Sequence, residues 1–185
     1  MPISIVVVTG ASGAGKTAAV SSLEARDLPG VQCFYFDSIG VPTAEVMERD
    51  YGGGERWQAW ATIQWLARLA ALDSGASVAV LDAQTRPSTV FAAPGAGTSW
   101  YPCVVLLDCA AEVRAARLCG ARGQPELATA RMDSWAAYLR GQADALGLPI
   151  IDTTGLTIGE TTARLEALVQ RVAKPDAPAA WSTSS

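Results

Sequence analysis

Short apolar runs alternate along this chain with longer segments in which apolar residues recur every three or four positions. The short runs predict five strands, at 3–8, 31–36, 77–82, 103–108 and 149–153. The longer segments predict helices at 16–25, 43–49, 55–73, 110–119, 126–146 and 157–172. Strands that alternate with helices are typical of a mainly parallel sheet covered on both faces. We therefore predict an α/β fold, a three-layer α/β/α sandwich around a five-stranded sheet.

Length and composition narrow the class of protein. The 185 residues fit one compact domain, which we place at 1–173. The end of the chain, "KPDAPAAWSTSS", has no apolar period, so 174–185 is predicted to be a disordered tail. No apolar run approaches the roughly 20 residues that a membrane span needs. The N-terminus lacks the basic region of a signal peptide, and we expect a soluble, cytoplasmic protein.

Charge and reactive side chains exclude several functions. A net charge of −4 argues against a broad nucleic-acid surface. The chain has no histidine, which excludes His-based zinc sites and Ser-His or Cys-His catalysis. Its four cysteines, at positions 33, 103, 109 and 119, show no C-x-x-C spacing, so we interpret them as reduced thiols.

The stretch "GASGAGKT" at 10–17 follows the first strand directly and precedes a helix. Gly10, Gly15, Lys16 and Thr17 satisfy the Walker A pattern G-x-x-x-x-G-K-[ST]. In such a P-loop, backbone N–H groups surround phosphate oxygens, the lysine reaches the terminal phosphates and the hydroxyl faces Mg²⁺. The alternative is a plain strand-to-helix turn. The strand and helix on either side favour an ATP site, with contacts from Gly10, Ala11, Ser12, Gly13, Ala14, Gly15, Lys16 and Thr17.

Polar residues at the ends of the other strands suggest further chemistry, because an α/β sheet binds ligands at the carboxyl edge of its strands. Asp37 follows the second strand and could accept a proton from an attacking hydroxyl. It could instead start a turn or cap a helix. We favour the catalytic role.

Two aspartates compete for a metal-binding role. "VAVLD" ends the third strand at Asp82 and resembles a Walker B segment, in which the carboxylate holds Mg²⁺ directly or through water. "VVLLD" ends the fourth strand at Asp108, but a helix follows at once. We expect Asp108 to cap that helix and Asp82, with Thr17, to hold the metal.

"GASGAGKT", an aspartate after the second strand, "LDAQTR" and a helix ending in "RLCGAR" together resemble the small P-loop kinases. This group includes adenylate, shikimate and gluconate kinases, chloramphenicol phosphotransferase and tunicamycin-resistance ATPases. The resemblance implies a nucleoside-monophosphate-kinase-like P-loop NTPase with a short lid at about 117–131. It also implies that Asp82 lies on the magnesium side and that Arg86 binds phosphate.

The same resemblance implies that arginines of the lid close over ATP. Arg117 and Arg122 match this arrangement, and Arg131 matches it less well. Such guanidinium groups would stabilise the transferred phosphoryl group once a lid excludes water. The alternative is a solvated helix face in which these arginines pair with Glu112 and Glu126. For Arg114 we favour that alternative.

The segment 42–73 should form the acceptor side, yet it matches no acceptor site that we can name. Trp57, Trp60 and Trp65 fall at helical spacings, which favours core packing over a ligand box. Arg49 or Arg56 would bind an anionic acceptor if there is one.

Together these features predict a P-loop kinase that uses ATP and Mg²⁺ to phosphorylate a hydroxyl, or less readily a phosphate, of a small molecule. Lys16, Asp37, Arg86, Arg117 and Arg122 would be its catalytic residues. Two alternatives remain: a nucleotide-binding regulatory switch without an acceptor, and a nucleic-acid end kinase.

Overall fold

The computed structural model describes residues 2–73 and 75–173. Its five strands form one sheet in the order β2-β3-β1-β4-β5, and every strand pair is parallel. The strands are β1 (Ile3–Thr9), β2 (Val31–Tyr35), β3 (Val78–Asp82), β4 (Trp100–Asp108) and β5 (Ile150–Asp152). This confirms the predicted α/β fold and each predicted strand within a few residues. The tail predicted at 174–185 lies outside the described residues.

Seven α-helices connect or flank these strands in the described part of the chain. They are α1 (Lys16–Glu24), α2 (Ala44–Tyr51), α3 (Gly54–Ala70), α4 (Pro87–Phe91), α5 (Ala111–Cys119), α6 (Ala130–Ala145) and α7 (Ile158–Ala173). Short 3₁₀ turns occupy Phe36–Ile39 and Pro125–Leu127. No described helix combines the length and the apolar character needed to cross a membrane.

Successive side chains of β1 point to opposite faces of the sheet, and this explains the helical layers on both faces. Ile5 and Val7 belong to a core formed with α3 and α4, while Val6 and Val8 belong to a second core formed with α1 and α7. All four side chains are fully buried. A central parallel strand needs apolar residues on both of its faces, and "ISIVVV" provides them.

Three helices differ from the sequence predictions, and one of them, α3, ends at Ala70 rather than 73. Helix α4 was not predicted, since five residues are too few to show a helical period. Helix α6 begins at Ala130 rather than 126, because Thr129 caps it: the Thr129 hydroxyl accepts a hydrogen bond from the Met132 N–H at 3.2 Å.

Candidate nucleotide site and acceptor cleft

The loop between β1 and α1 has the backbone conformation of a phosphate cradle. Gly10, Gly13 and Gly15 have φ angles of 151°, 86° and 94°. A Cβ atom at Gly10 would lie 2.2 Å from the carbonyl oxygen of Leu107, so only glycine fits there. Helix α1 starts directly after Gly15, which directs its free N–H groups toward the loop.

Lys16 is the first residue of α1, directly after this loop, and it is buried. Its Nζ donates a hydrogen bond to the carbonyl oxygen of Ala11 at 3.2 Å. Burial lowers the pKa of the Lys16 ammonium from its ordinary value of 10.5, the nearby Asp82 and Asp37 carboxylates act in the opposite direction, and Arg122 lowers it further. The ammonium, both carboxylates and one predicted lid arginine therefore lie within electrostatic range of one another.

Thr17 and Asp82 lie side by side, as the metal-site prediction requires. The Thr17 hydroxyl donates a hydrogen bond to Asp82 Oδ2 at 2.6 Å. Asp82 is the last residue of β3 and is buried, whereas Thr17 is exposed. A hydroxyl and a carboxylate are oxygen ligands of the kind that Mg²⁺ prefers, so the pair fits this ion when phosphate oxygens complete the coordination.

Asp37 lies in the 3₁₀ turn that follows β2, and it is exposed. Helix α3 contacts this turn: the Trp65 indole N–H donates a hydrogen bond to the carbonyl oxygen of Phe36 at 3.0 Å. The Phe36 ring also packs edge-on against Trp57, with ring centroids 5.9 Å apart. Helix α3 thus holds the backbone next to Asp37.

The contacts of Arg117 differ from the alternative in which it pairs with Glu112 and Glu126. Its guanidinium donates to the hydroxyl of Thr153 at 2.9 Å, to the carbonyl oxygen of Thr153 at 2.7 Å and to that of Gly13 at 3.4 Å. It therefore joins the phosphate loop to the end of β5. Arg122 is exposed and donates to Gln124, and Arg131 is exposed as well.

Two expectations about this end of the sheet are wrong. Arg114 is buried rather than solvated, with hydrogen bonds to the Cys109 carbonyl oxygen and the Asp133 carboxylate. Asp108 is not the N-cap of α5, which is Ala110. Its carboxylate accepts from the Cys109 N–H at 2.9 Å and lies 3.5 Å from Arg140, so its contacts remain structural.

Arg86 is held between two helices. Its Nη2 lies 3.0 Å from Glu55 Oε1 on α3, and its guanidinium carbon lies 5.0 Å from the Trp135 ring and 5.6 Å from the Tyr138 ring on α6. The assignment of Arg86 to phosphate binding stays a prediction. Its contacts in this structure are with the acceptor-side helix and with α6.

Several polar residues at this edge were missed from the sequence. The Ser12 hydroxyl donates to Gln84 Oε1 at 3.0 Å, and the Gln58 side chain donates to the Gln84 carbonyl oxygen, which links the phosphate loop to α3. Thr153, which positions Arg117, was also missed. Both Gln84 and Thr153 follow the ends of strands, and that position was the available signal.

The tryptophans of the acceptor-side segment divide between core and surface. Trp57 and Trp65 are buried, as the core interpretation predicts, but Trp60 is 42% exposed and packs against Tyr51. Arg49 forms an ion pair with Asp50 on the surface.

Comparisons with solved structures place this fold among kinases. A gluconokinase from Sinorhizobium meliloti is 21% identical with a TM-score of 0.62, over 93% of this chain and 94% of that one. A shikimate kinase from Acinetobacter baumannii, solved with shikimate, is 16% identical with a TM-score of 0.58, over 91% and 93%. A thymidylate kinase from Candida albicans is 12% identical with a TM-score of 0.65, over 94% of each chain.

These likenesses confirm the predicted fold, that of the small P-loop kinases. No protein-family model matches the sequence, and no curated protein matches it either.

Proposed function

We propose that this protein is an ATP-dependent phosphotransferase that moves the γ-phosphoryl group to a hydroxyl of a small molecule. One observation carries the proposal: the buried Lys16, the Thr17–Asp82 pair and the exposed Asp37 meet at one edge of the sheet. A strand-to-helix turn without a ligand would have no need of a buried ammonium, which is costly to desolvate.

The phosphate loop would bind the nucleotide. Backbone N–H groups of Gly10–Thr17 and the N-terminus of α1 would hold its phosphates, and Lys16 would balance the charge of the terminal ones. Thr17 and Asp82 would hold Mg²⁺, which supplies a cation that neutralises charge on the phosphate oxygens. The kinase fold of the structural neighbours supports both assignments.

Asp37 would orient the acceptor hydroxyl and take its proton during attack. Its exposure supports this role, since a general base must reach a bound substrate. Lys16 would stabilise the phosphoryl group during its transfer, and Arg117 and Arg122 would add positive charge from the lid. Arg122 is exposed yet acts electrostatically on Lys16, which supports its assignment to the same centre.

ADP release in the presence of an acceptor panel tests the proposal. Wild-type protein with ATP and Mg²⁺ is expected to release ADP faster with at least one nucleoside, sugar, antibiotic or other metabolite alcohol. Asp37→Asn should lose that acceptor-dependent rate by a factor of about 100 or more and still bind nucleotide. Asp144→Asn, which alters an exposed ion pair on α6, is the matched control and should keep the rate.

An acceptor panel that never raises ADP release above the rate with water would overturn the proposal. Nucleotide binding without any acceptor-dependent rate would then point to a regulatory switch. Transfer to a polynucleotide end would point to a nucleic-acid kinase.

A further inference from the structure

Arg86, a cation on the acceptor side of the site, has one carboxylate partner and two aromatic ones. The guanidinium is bonded to the Glu55 carboxylate at 3.0 Å and stacks on Trp135 and Tyr138, whose rings are 5.4 Å apart and nearly parallel. The Arg86 side chain is only 21% exposed. An anionic ligand that binds this cation must compete with the Glu55 carboxylate.

Strand register places Gln84 level with the proposed base, and Arg86 follows two residues later. Tyr35 of β2 is paired with Asp82 of β3, so Asp37 and Gln84 each follow two residues beyond that pair. Gln58 on α3 binds the Gln84 carbonyl oxygen, which draws α3 to the same edge. We call the space bordered by Asp37, Glu55, Gln84 and Arg86 the acceptor cleft.

Among the described residues, the cation that borders the acceptor cleft already has a carboxylate partner. Asp37 and Glu55 border it, and Asp82 lies next to Thr17 at its phosphate side. Arg86 is already bonded to Glu55, and Lys16 belongs to the phosphate loop. The three arginines of 42–73 have other contacts: Arg49 pairs with Asp50, the Arg56 guanidinium lies against Gly52, and Arg68 lies over the Trp65 ring.

We propose that the acceptor cleft takes an uncharged hydroxyl compound, and that Glu55 excludes phosphate and carboxylate groups by occupying Arg86. A carboxylate or phosphate on the acceptor would approach the Asp37 carboxylate while Arg86 is paired with Glu55, whereas a neutral alcohol meets no such repulsion. The side chain of Gln84 offers hydrogen bonds to hydroxyl groups, and its Oε1 is already fixed by Ser12. The inference rests on the proposed function and narrows its substrate class.

Titration with inorganic phosphate tests the proposed exclusion of anions without requiring turnover. The phosphate loop is first saturated with Mg²⁺ and a non-hydrolysable ATP analogue, so that added phosphate reports on the acceptor cleft. Calorimetry is expected to show that Glu55→Gln binds phosphate at least about tenfold more tightly than wild type. The double variant Glu55→Gln/Arg86→Gln should lose this gain, and Glu45→Gln, an exposed change on α2, should behave as wild type.

Phosphate binding to wild type within about threefold of Glu55→Gln would overturn the proposal, as would a gain that survives removal of Arg86. A second arm uses matched acceptors in the ADP-release assay: thymidine with thymidine monophosphate, and glucose with gluconate. Wild type should prefer the neutral member of any pair that it uses, and a preference for the anionic member would contradict the inference. A lack of turnover with every acceptor would count against the proposed function alone, because the titration does not depend on it.

Discussion

At the scale of single residues, the position of the Lys16 ammonium is expected to favour phosphate binding and to lower the stability of the free protein. It is buried, and its pKa is lowered mainly by that burial. A cation held away from water reduces the stability of the free protein and strengthens attraction to a polyanion. The site is thus expected to trade stability for binding.

Lys16→Met should therefore stabilise the nucleotide-free protein at pH 7 and weaken nucleotide binding on the order of 100-fold. Because the pKa is lowered in the folded state, the unfolded state binds more protons between that lowered pKa and 10.5, and the wild type gains stability as pH rises through this window. The Met variant should lack this gain. Denaturant unfolding at several pH values measures both effects, with the exposed Arg164→Met as control. A Met variant less stable than wild type at pH 7 would contradict the argument.

The thiols of Cys33 and Cys103 should have the opposite effect to Lys16: we expect them to make the unfolding free energy fall at alkaline pH. Burial raises the pKa of each from 9.0 to about 11. The stability that this gives is complete below pH 9 and is lost as pH rises through 11, because the unfolded chain releases those protons first. We expect a combined loss of about 3 kcal/mol, less than the full value since both thiols are only partly buried.

Cys33→Ala/Cys103→Ala should flatten the unfolding free energy between pH 9 and 11. Cys119→Ala, at an exposed position, should leave the alkaline loss unchanged. An unaltered pH profile in the double variant would show that other groups cause the loss.

Gly10 is the glycine at which the backbone leaves no room for a side chain. Gly10→Ala should lower the unfolding free energy by about 3 kcal/mol or more, because its Cβ would collide with the Leu107 carbonyl oxygen. Gly147→Ala is the matched control: its φ is 62° with open space around it, so only about 1 kcal/mol is expected. Equal losses in the two variants would refute the steric explanation.

At the scale of elements, the fold was largely predictable and the site only partly so. The five strands were readable because buried parallel strands are continuous apolar runs, as "ISIVVV" and "VAVL" show. The burial of Arg114 was not readable, because its partner Asp133 lies on another helix. The pairing of Arg86 with Glu55 was hidden for the same reason, since the two residues meet only after α3 folds onto the sheet edge.

Helix α3 also sets the position of Asp37, through Trp65. Trp65→Phe removes the hydrogen bond to the Phe36 carbonyl oxygen and keeps an aromatic ring in the core. We expect a loss of about 1–2 kcal/mol in unfolding free energy, since a buried acceptor is left unpaired, and a fall in acceptor-dependent rate. Trp60→Phe, at a partly exposed position on the same helix, should change neither by much. A normal rate in Trp65→Phe would show that α3 does not position Asp37.

At the scale of the whole molecule, ligand binding should stabilise the fold through the edge of the sheet. Arg117 links the phosphate loop to Thr153 at the end of β5, and Thr17 links α1 to Asp82 of β3. A nucleotide bound there would contact elements from both sides of the sheet. Its binding energy would then be added to the stability of the entire fold.

A non-hydrolysable ATP analogue with Mg²⁺, at about 100 times its Kd, should add about 2.7 kcal/mol to the unfolding free energy. Removal of Mg²⁺ with a chelator should reduce this gain. In Asp82→Asn the gain should become independent of Mg²⁺, because the variant lacks the carboxylate proposed to hold the ion. Thermal unfolding measures all three states, and a Mg²⁺ effect of normal size in Asp82→Asn would exclude this carboxylate from the metal site.

The burial of Lys16 has a practical consequence for labelling. Residues 2–173 contain no lysine other than Lys16, and the next lysine along the chain is Lys174. An amine-reactive acyl phosphate of ATP that enters the phosphate loop would thus find one lysine amine within residues 2–173. Acylation at that position, read by peptide mass and blocked by excess ATP, would count occupied nucleotide sites directly in a cell extract, before any acceptor is known.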